Sequence, residues 1–338
     1  MLKIDAFNHV LPPRYFEKMN EVNPGLKDIG KRVRNVRVLV DMDQRLRMIE
    51  QFGDDYRQVL SVAAPPIERV AGPEASPELA EVANDEMARL VSEHDRFVGF
   101  IASMPMNNPD AAVTEAKRAI DQLGATGIQM FTNVNGSPLD RDELLDLFQL
   151  LHDHDLPIWV HPARGAEMPD YVDEDGSKYE IWWTFGWPYE TSAMMARLIF
   201  SGHLDRFPNL KVITHHLGGM TPYFEGRVGP GMDQLGSRTT DEDYTSILER
   251  LDDRPIEYFR RFYGDTAVFG SDAATRCGLE FFGADHVLFA SDCPFDPEKG
   301  PGFIRETIRV LDEADYLDEA TRAQIYEGNA KRLMRLHL

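Results

Sequence analysis

The sequence predicts an α/β fold, a (β/α)8 or TIM barrel with a long insertion after strand five, on three observations. Short apolar runs recur along the whole chain, at residues 2–6, 56–62, 97–103, 127–131, 157–161, 211–214, 262–265 and 286–290. Between most of them lie longer segments with the spacing of amphipathic helices. Several runs end in a side chain able to do chemistry, and barrels carry their reactive groups at the C-terminal ends of strands. Strands alternating with helices imply a parallel sheet, doubly wound or closed, and the number of runs favours closure. A length of 338 residues suits one barrel enlarged by loops, so residues 1–338 are expected to form a single domain.

The helical segments carry their own punctuation. Asn108 stands as an N-cap, Pro109 fits a first turn and Asp110 complements the helix dipole. Val113, Ala116, Ile120 and Leu123 then share a face, and Gly124 closes the segment. Leu144, Leu147, Phe148 and Leu151 make the next stripe. Two stretches break the rhythm. Residues 11–40 are mixed and basic, an excursion or lid after the first strand. Residues 165–189 form the expected insertion, with the aromatic cluster YEIWWTFGWP at 179–188. That cluster suits either a hydrophobic plug between loop and barrel or a wall of a substrate pocket.

Composition excludes some classes of function. With 43% apolar and 10% aromatic residues the chain can bury a core. A net charge of −21 opposes nucleic-acid binding, which needs clustered cations. The charge favours solubility without naming a partner. No apolar run is long enough to span a membrane, and the N-terminus runs straight into a strand without a leader pattern. Cys277 and Cys293 lack a C-x-x-C spacing, and reduced thiols in the cytoplasm are expected. The acidic run 241–243 and Asp252–Asp253 read as exposed loop charge.

The chemistry concentrates at four strand ends. His9 follows the first run, His161 ends the fifth, His215 and His216 end the sixth, and Asp292 follows the last. Taken singly, each would most simply be a hydrogen-bonded core or surface residue. Together they are imidazoles and a carboxylate brought by apolar strands to one mouth, a donor set for zinc, manganese or iron. His152 and His154 sit on a polar helix end and are read as solvated, while His94, His203, His286 and His337 are read as structural. Arg164 follows His161 closely and suits either a substrate carboxylate or a salt bridge within the insertion. Trp183 and Phe295 are candidate apolar walls for the substrate, and Arg32, Arg34 and Arg37 stay unplaced.

At these residues the sequence resembles the amidohydrolase superfamily, in the branch of α-amino-β-carboxymuconate-ε-semialdehyde decarboxylase and γ-resorcylate decarboxylase. The matching pieces are IDAFNHVLP at 4–12, GIQMFTN at 127–133, His161-Pro162, Trp183 with GWPYE at 186–190, HLGG at 216–219, SDCPF at 291–295 and GNAKRL at 328–333. The resemblance implies that His161 and Asp292 are metal ligands and that His216 handles protons beside the substrate. It also implies a His-x-His pair on the first strand, which here reads Phe7-Asn8-His9, so only the second histidine is present. His9, His161 and Asp292 remain as protein donors, enough for an open catalytic site, and His215 stands close enough to add a fourth.

The activity implied is that of a metal-dependent lyase, with one divalent metal ion, decarboxylating a small aromatic or unsaturated carboxylic acid. His216 or Asp292 would supply the proton. The same residues could instead serve a hydrolase of a lactone, ester or amide. A third reading is a subunit of an iron-containing, oxygen-activating hydroxylase on the same fold, and a fourth is a decayed subunit beside an active partner. Expected partners are a small-molecule carboxylate substrate and further copies of the chain or a homologous subunit.

Overall fold

A computed structural model of the chain describes residues 1–27, 29–240 and 242–338. Eleven strands are present among the described residues: β1 (Lys3–Val10), β2 (Tyr56–Val62), β3 (Phe97–Phe100), β4 (Ala102–Ser103), β5 (Ile128–Phe131), β6 (Asn133–Val134), β7 (Ser137–Pro138), β8 (Pro157–His161), β9 (Lys211–Thr214), β10 (Tyr263–Asp265) and β11 (Val287–Leu288). One parallel sheet runs β1-β2-β3 and a second runs β11-β10-β9-β8-β5-β4, while β6 and β7 form a small antiparallel ribbon. The register between β5 and β8 pairs Ile128 with Ile158 and Phe131 with His161. That between β8 and β9 pairs Val160 with Thr214.

Backbone hydrogen bonds also run between the two sheets. Ile101 N donates to Leu60 O at 2.8 Å, and Ala6 N donates to Phe289 O at 2.9 Å. These bonds explain where the observed strands depart from the expected ones. The run 97–103 divides because Ile101 turns to β2 while Ala102 N turns to Gly127 O at 3.0 Å. The final run shortens to Val287–Leu288 because Phe289 N leaves the ladder for Ile325 O at 3.0 Å. The first strand extends to Val10, with an irregularity between Asp5 and Asn8.

Both faces of the sheets are buried, as parallel sheets require. One face supplies an inner cluster that includes Ile4, Ala6, Phe7, Val59, Ile101, Trp159, Ile213 and Leu288, closed by Leu333 and Met334 of the helix Asn329–Met334. The other face packs on the surrounding helices. The helix Pro109–Leu123 starts as its sequence dictates, with Asn108 Oδ1 accepting from Ala111 N at 3.2 Å and Gly124 ending it at φ 75°. Its buried line is Ala112, Glu115, Ala116 and Ala119, with Val113, Ile120 and Leu123 flanking at half burial. Leu144, Leu147, Phe148 and Leu151 are buried together.

The excursion after β1 holds the helices Pro13–Val22 and Ile29–Val33, and Asp28 within it lies outside the described residues. Residues 162–180 have neither helix nor strand, and the helices Ile181–Thr184 and Gly186–Phe200 follow. Of the acidic run, Glu242 and Asp243 are exposed and Asp241 lies outside the described residues. His154 is tied to Leu150 O at 2.9 Å and to Asp121 at 3.3 Å, and His152 accepts from Asn209 N at 3.2 Å. Those two imidazoles are therefore engaged rather than simply solvated. Among the described residues no helix is long and apolar enough to cross a membrane.

Polar groups buried near the strand ends hold the first strand in place. Arg45 is fully buried and donates to His9 O at 2.6 Å, Gln58 Oε1 at 2.9 Å and the Asn8 side chain. Replacing it would leave these acceptors dry and unpaired. Arg45→Met is expected to cost about 2–5 kcal/mol in chemical denaturation, and a loss below about 0.5 kcal/mol would refute this role.

Glu68 presents the opposite case. It is 5% exposed, its Oε1 has no partner among the described residues, and burial pushes its carboxyl up to about 7. The native state thus keeps a proton that the unfolded chain releases in the ordinary glutamate range. Stability should fall as pH rises from about 4.3 to about 7, and level off above. Glu68→Gln should remove that slope and gain up to about 3 kcal/mol at pH 8 over the wild type; parallel pH–stability curves would contradict it.

Candidate metal centre

Because the strands of both sheets run parallel, their C-terminal ends bring the chemical side chains to one side. His9 comes from β1, His161 ends β8, His215 directly follows β9, Asp265 ends β10, and Asp292 lies just beyond β11. His9, His161 and His215 are buried, and one ring nitrogen from each lies within 4.8 Å of the others. His215, His216 and Asp292 form a second such group sharing His215. His9 Nε2 stands 3.0 Å from Asp292 Oδ1, and His215 Nε2 stands 3.3 Å from the same oxygen.

The Nδ1 of each ring has a partner outside the cluster. His161 Nδ1 faces Pro162 O at 2.7 Å, and a carbonyl only accepts, so this nitrogen bears the hydrogen. His215 Nδ1 donates to Asp265 Oδ2. His9 Nδ1 lies 3.5 Å from Ser61 Oγ, whose own hydroxyl donates to Asn8 O at 2.7 Å. Each ring therefore engages an outer partner through Nδ1 and keeps Nε2 for its neighbours in the site, the arrangement metal-binding histidines adopt when an outer acceptor orients them. His9 Nε2 is buried and makes no hydrogen bond among the described residues. An orphaned nitrogen beside a carboxylate and two imidazoles fits a cation, and this His/Asp group could hold one divalent metal ion.

The electrostatics agree with that fit. Burial and the neighbouring imidazoles hold His161 well below the usual histidine range. Burial also works against charge on His215, but Asp265 and Asp292 outweigh it and lift this imidazole to about 9. Asp292 is disfavoured as an anion by burial, yet the adjoining His215 and His9 imidazoles keep it well below the carboxylate range. The pocket thus attracts positive charge between Asp265 and Asp292 and resists it elsewhere.

His216 lies at the edge of this cluster, its ring centre 3.8 Å from that of His215. His216 and Leu217 have φ 58° and 49°, left-handed values that cost roughly 1–2 kcal/mol per residue. The kink lays the two consecutive imidazoles against each other, with ring planes 36° apart. His216 N and Ala267 N both donate to Asp265 Oδ1 at 3.0 Å, and His216 Nδ1 donates to Ala267 O. Burial and the adjacent His215 push His216 down to about 4, so at neutral pH its Nε2 is an acceptor. Asp292 is likewise left-handed, at φ 60°. Non-glycine residues held in this region concentrate at functional sites.

A cavity of about 790 Å³ opens on the cluster, lined among others by His161, His216, Asp292, Trp183, Phe295 and Arg32. Trp183 and Phe295 thus line it together, as do Trp182, Trp187, Phe269 and Phe303. The aromatic segment packs on itself, with Trp182 and Trp187 rings 5.7 Å apart, and still forms cavity wall. Arg164 does not line this cavity, contrary to one expectation from its spacing after His161. Its guanidinium donates to Glu190 at 3.0 Å and to Pro169 O at 3.3 Å, and it faces a neighbouring space of about 670 Å³. Arg32, unplaced by sequence, donates to Phe295 O and lies 5.2 Å from the centre of that ring.

Asp265 is the residue that sequence reading passed over. It ends a recognised apolar run, the same signal that marked His161, but an acid beside a glycine at a strand end drew no chemical reading. The stacking of Phe7 on Trp159, 4.7 Å apart and nearly parallel, has no signal in sequence at all.

Known proteins resemble this chain along most of its length. The chain is 30% identical over 299 residues to 2-amino-3-carboxymuconate-6-semialdehyde decarboxylase of Dictyostelium discoideum, covering 88% of this chain and 77% of that protein. It is also 30% identical over 315 residues to gamma-resorcylate decarboxylase of Polaromonas sp. strain JS666, covering 89% of each. Among solved structures, a dihydroxybenzoic acid decarboxylase from Polaromonas sp. JS666, with bound manganese and the inhibitor 2-nitroresorcinol, superposes with a TM-score of 0.78. It covers 99% of this chain and 97% of its own, at 24% identity. The family model described as Amidohydrolase matches residues 4–336, and the chain belongs to the amidohydrolase family.

Proposed function

We propose that this chain is a metal-dependent lyase that removes carbon dioxide, without oxidation, from a small aromatic or unsaturated carboxylic acid. The observation that carries the reading is the convergence of three buried imidazoles and the Asp292 carboxylate at the base of an aromatic-walled cavity. Relatives named as decarboxylases in the same family support the reaction class. His9, His161, His215 and Asp292 are the proposed ligands. Bound there, the cation would act as a Lewis acid that orients a carboxylate or neighbouring hydroxyl and stabilises developing negative charge.

The surrounding residues do the rest. A cavity of about 790 Å³ is of the size that accepts a small aromatic acid, with Trp183 and Phe295 as proposed walls. Lys31 and Arg32 line it as cations suited to a substrate anion. Decarboxylation needs one proton at the carbon that bears the carboxylate. The carbon–carbon bond then breaks, carbon dioxide leaves, and the bonding pair returns to the ring or conjugated chain. His216 is the proposed carrier, since its neutral Nε2 can take a proton from a substrate hydroxyl or water and pass it to that carbon. Asp292, held ionised, is proposed chiefly as ligand and electrostatic partner.

The same proposal includes the architecture. We infer a closed (β/α)8 barrel over a single domain of residues 1–338, supported by the bonds from Ile101 to Leu60 and from Ala6 to Phe289 that link the sheets. The segment between β8 and the helix Gly186–Phe200 would be its insertion after strand five. We also place the protein in the cytoplasm, where its free Cys277 and Cys293 would stay reduced, as an assembly of like subunits acting on a small carboxylate.

Protein loaded with manganese or zinc should release carbon dioxide stoichiometrically from at least one member of a panel of hydroxybenzoates and unsaturated carboxylic acids. Cleavage of lactones or amides instead, with no carbon dioxide, would overturn the proposal. His216→Ala should lower kcat by about 10²–10⁴-fold while retaining metal, whereas Asp292→Asn should lose both activity and metal. Retention of full kcat in His216→Ala would remove it as proton carrier. Arg32→Ala should raise KM by about 10-fold or more with kcat little changed, measured by steady-state kinetics; an unchanged KM would place the substrate anion elsewhere.

A further inference from the structure

Phe7 and His9 lie on the same side of β1, and their rings stand 5.0 Å apart. Phe7 is fully buried, stacked on Trp159 at 4.7 Å, with its edge contact to His215 at 4.4 Å. It also lies 6.3 Å from the ring of His161. Position 7 is therefore surrounded by the same imidazoles that converge on one another, yet its own side chain offers no donor. His215 reaches the group from a different strand end, and its ring centre is 5.3 Å from His161 and 6.0 Å from His9. Its Nδ1 is spent on Asp265, so only Nε2 is free to face the cluster.

We infer that His215 supplies, from the end of β9, the metal ligand that a donor at position 7 would otherwise supply from β1. Phe7 and Asp265 are its positioning residues. This rests on the proposed metal site and adds to it which donors complete that site and how they are fixed. Asp265 aims the ring through Nδ1. Phe7 and Trp159 make a dry floor against which the ring cannot tilt.

The test reads metal binding, without any need for turnover. Wild-type protein, His215→Ala, Phe7→His and the double variant Phe7→His/His215→Ala are titrated with manganese and zinc against a competing chelator, with thermal unfolding to check folding. Wild type should bind about one metal ion per chain, and His215→Ala should weaken binding by about 100-fold or more. The double variant should recover affinity to within about 10-fold of wild type, while Asp265→Asn should lose about 10–100-fold through misorientation. A second measurement needs no variant: pulsed EPR of the manganese-loaded wild type should count three coordinated imidazoles, from His9, His161 and His215. Two imidazoles there, or wild-type affinity in His215→Ala, would overturn the exchange while leaving the metal site standing. A wild type that binds no manganese, zinc or iron would instead remove the metal reading itself.

Discussion

The contact between His215 and Asp265 is the interaction on which the rest of the site depends. Two fully buried groups from neighbouring strands are locked together, and the remaining imidazole nitrogen is thereby aimed at His9, His161 and Asp292. The other oxygen of the same carboxylate accepts from His216 N and Ala267 N, so one acid also holds the backbone of the kink. A buried carboxylate is tolerated because every direction around it is occupied by a donor. Without those donors the charge would be costly, and the chain would have no reason to keep an acid at the end of β10.

From that constraint the division of labour follows. Left-handed geometry at 216 lays its imidazole against that of His215, so that the buried ring and the ring on the cavity wall are adjacent. Its local cost is offset by the hydrogen bond that Asp265 accepts from His216 N. Asp292 shows the same solution after β11, where a left-handed backbone turns its carboxylate toward His9 and His215. His216, Phe269 and Asp292, all left-handed, line the cavity, while the strands beneath keep regular parallel ladders.

The surroundings separate apolar and charged functions in the same way. Phe7 and Trp159 seal the site from the inner core, and the tryptophans of the segment after β8 and Phe295 wall the cavity above. Among the described residues that line the cavity, the Lys and Arg side chains are Lys31 and Arg32 of the excursion after β1, where Arg32 rests on Phe295. Arg164 lies close in sequence to His161 but is neutralised by Glu190, on the far side of the Trp187 wall. Proximity along the chain and access to the cavity are different properties, because a loop after a strand can turn either way.

Much of this was legible in the sequence. Apolar runs at regular intervals marked the strands, since a parallel strand buried on both faces cannot carry exposed polar residues. The helix from Pro109 was readable from Asn108 to Gly124 because capping is a local matter of a few neighbouring groups. His9, His161, His215 and Asp292 stood out because a polar group directly after an apolar run has to be held by something. What sequence left open was always a question of direction. It could not say that His215 is buried while His216 lines the cavity, that Arg164 faces a different space, that Asp265 ties His215, or that Phe7 lies against its ring. The last two are contacts between residues 50 and 208 positions apart, and only the packed strands bring such pairs within a few ångströms.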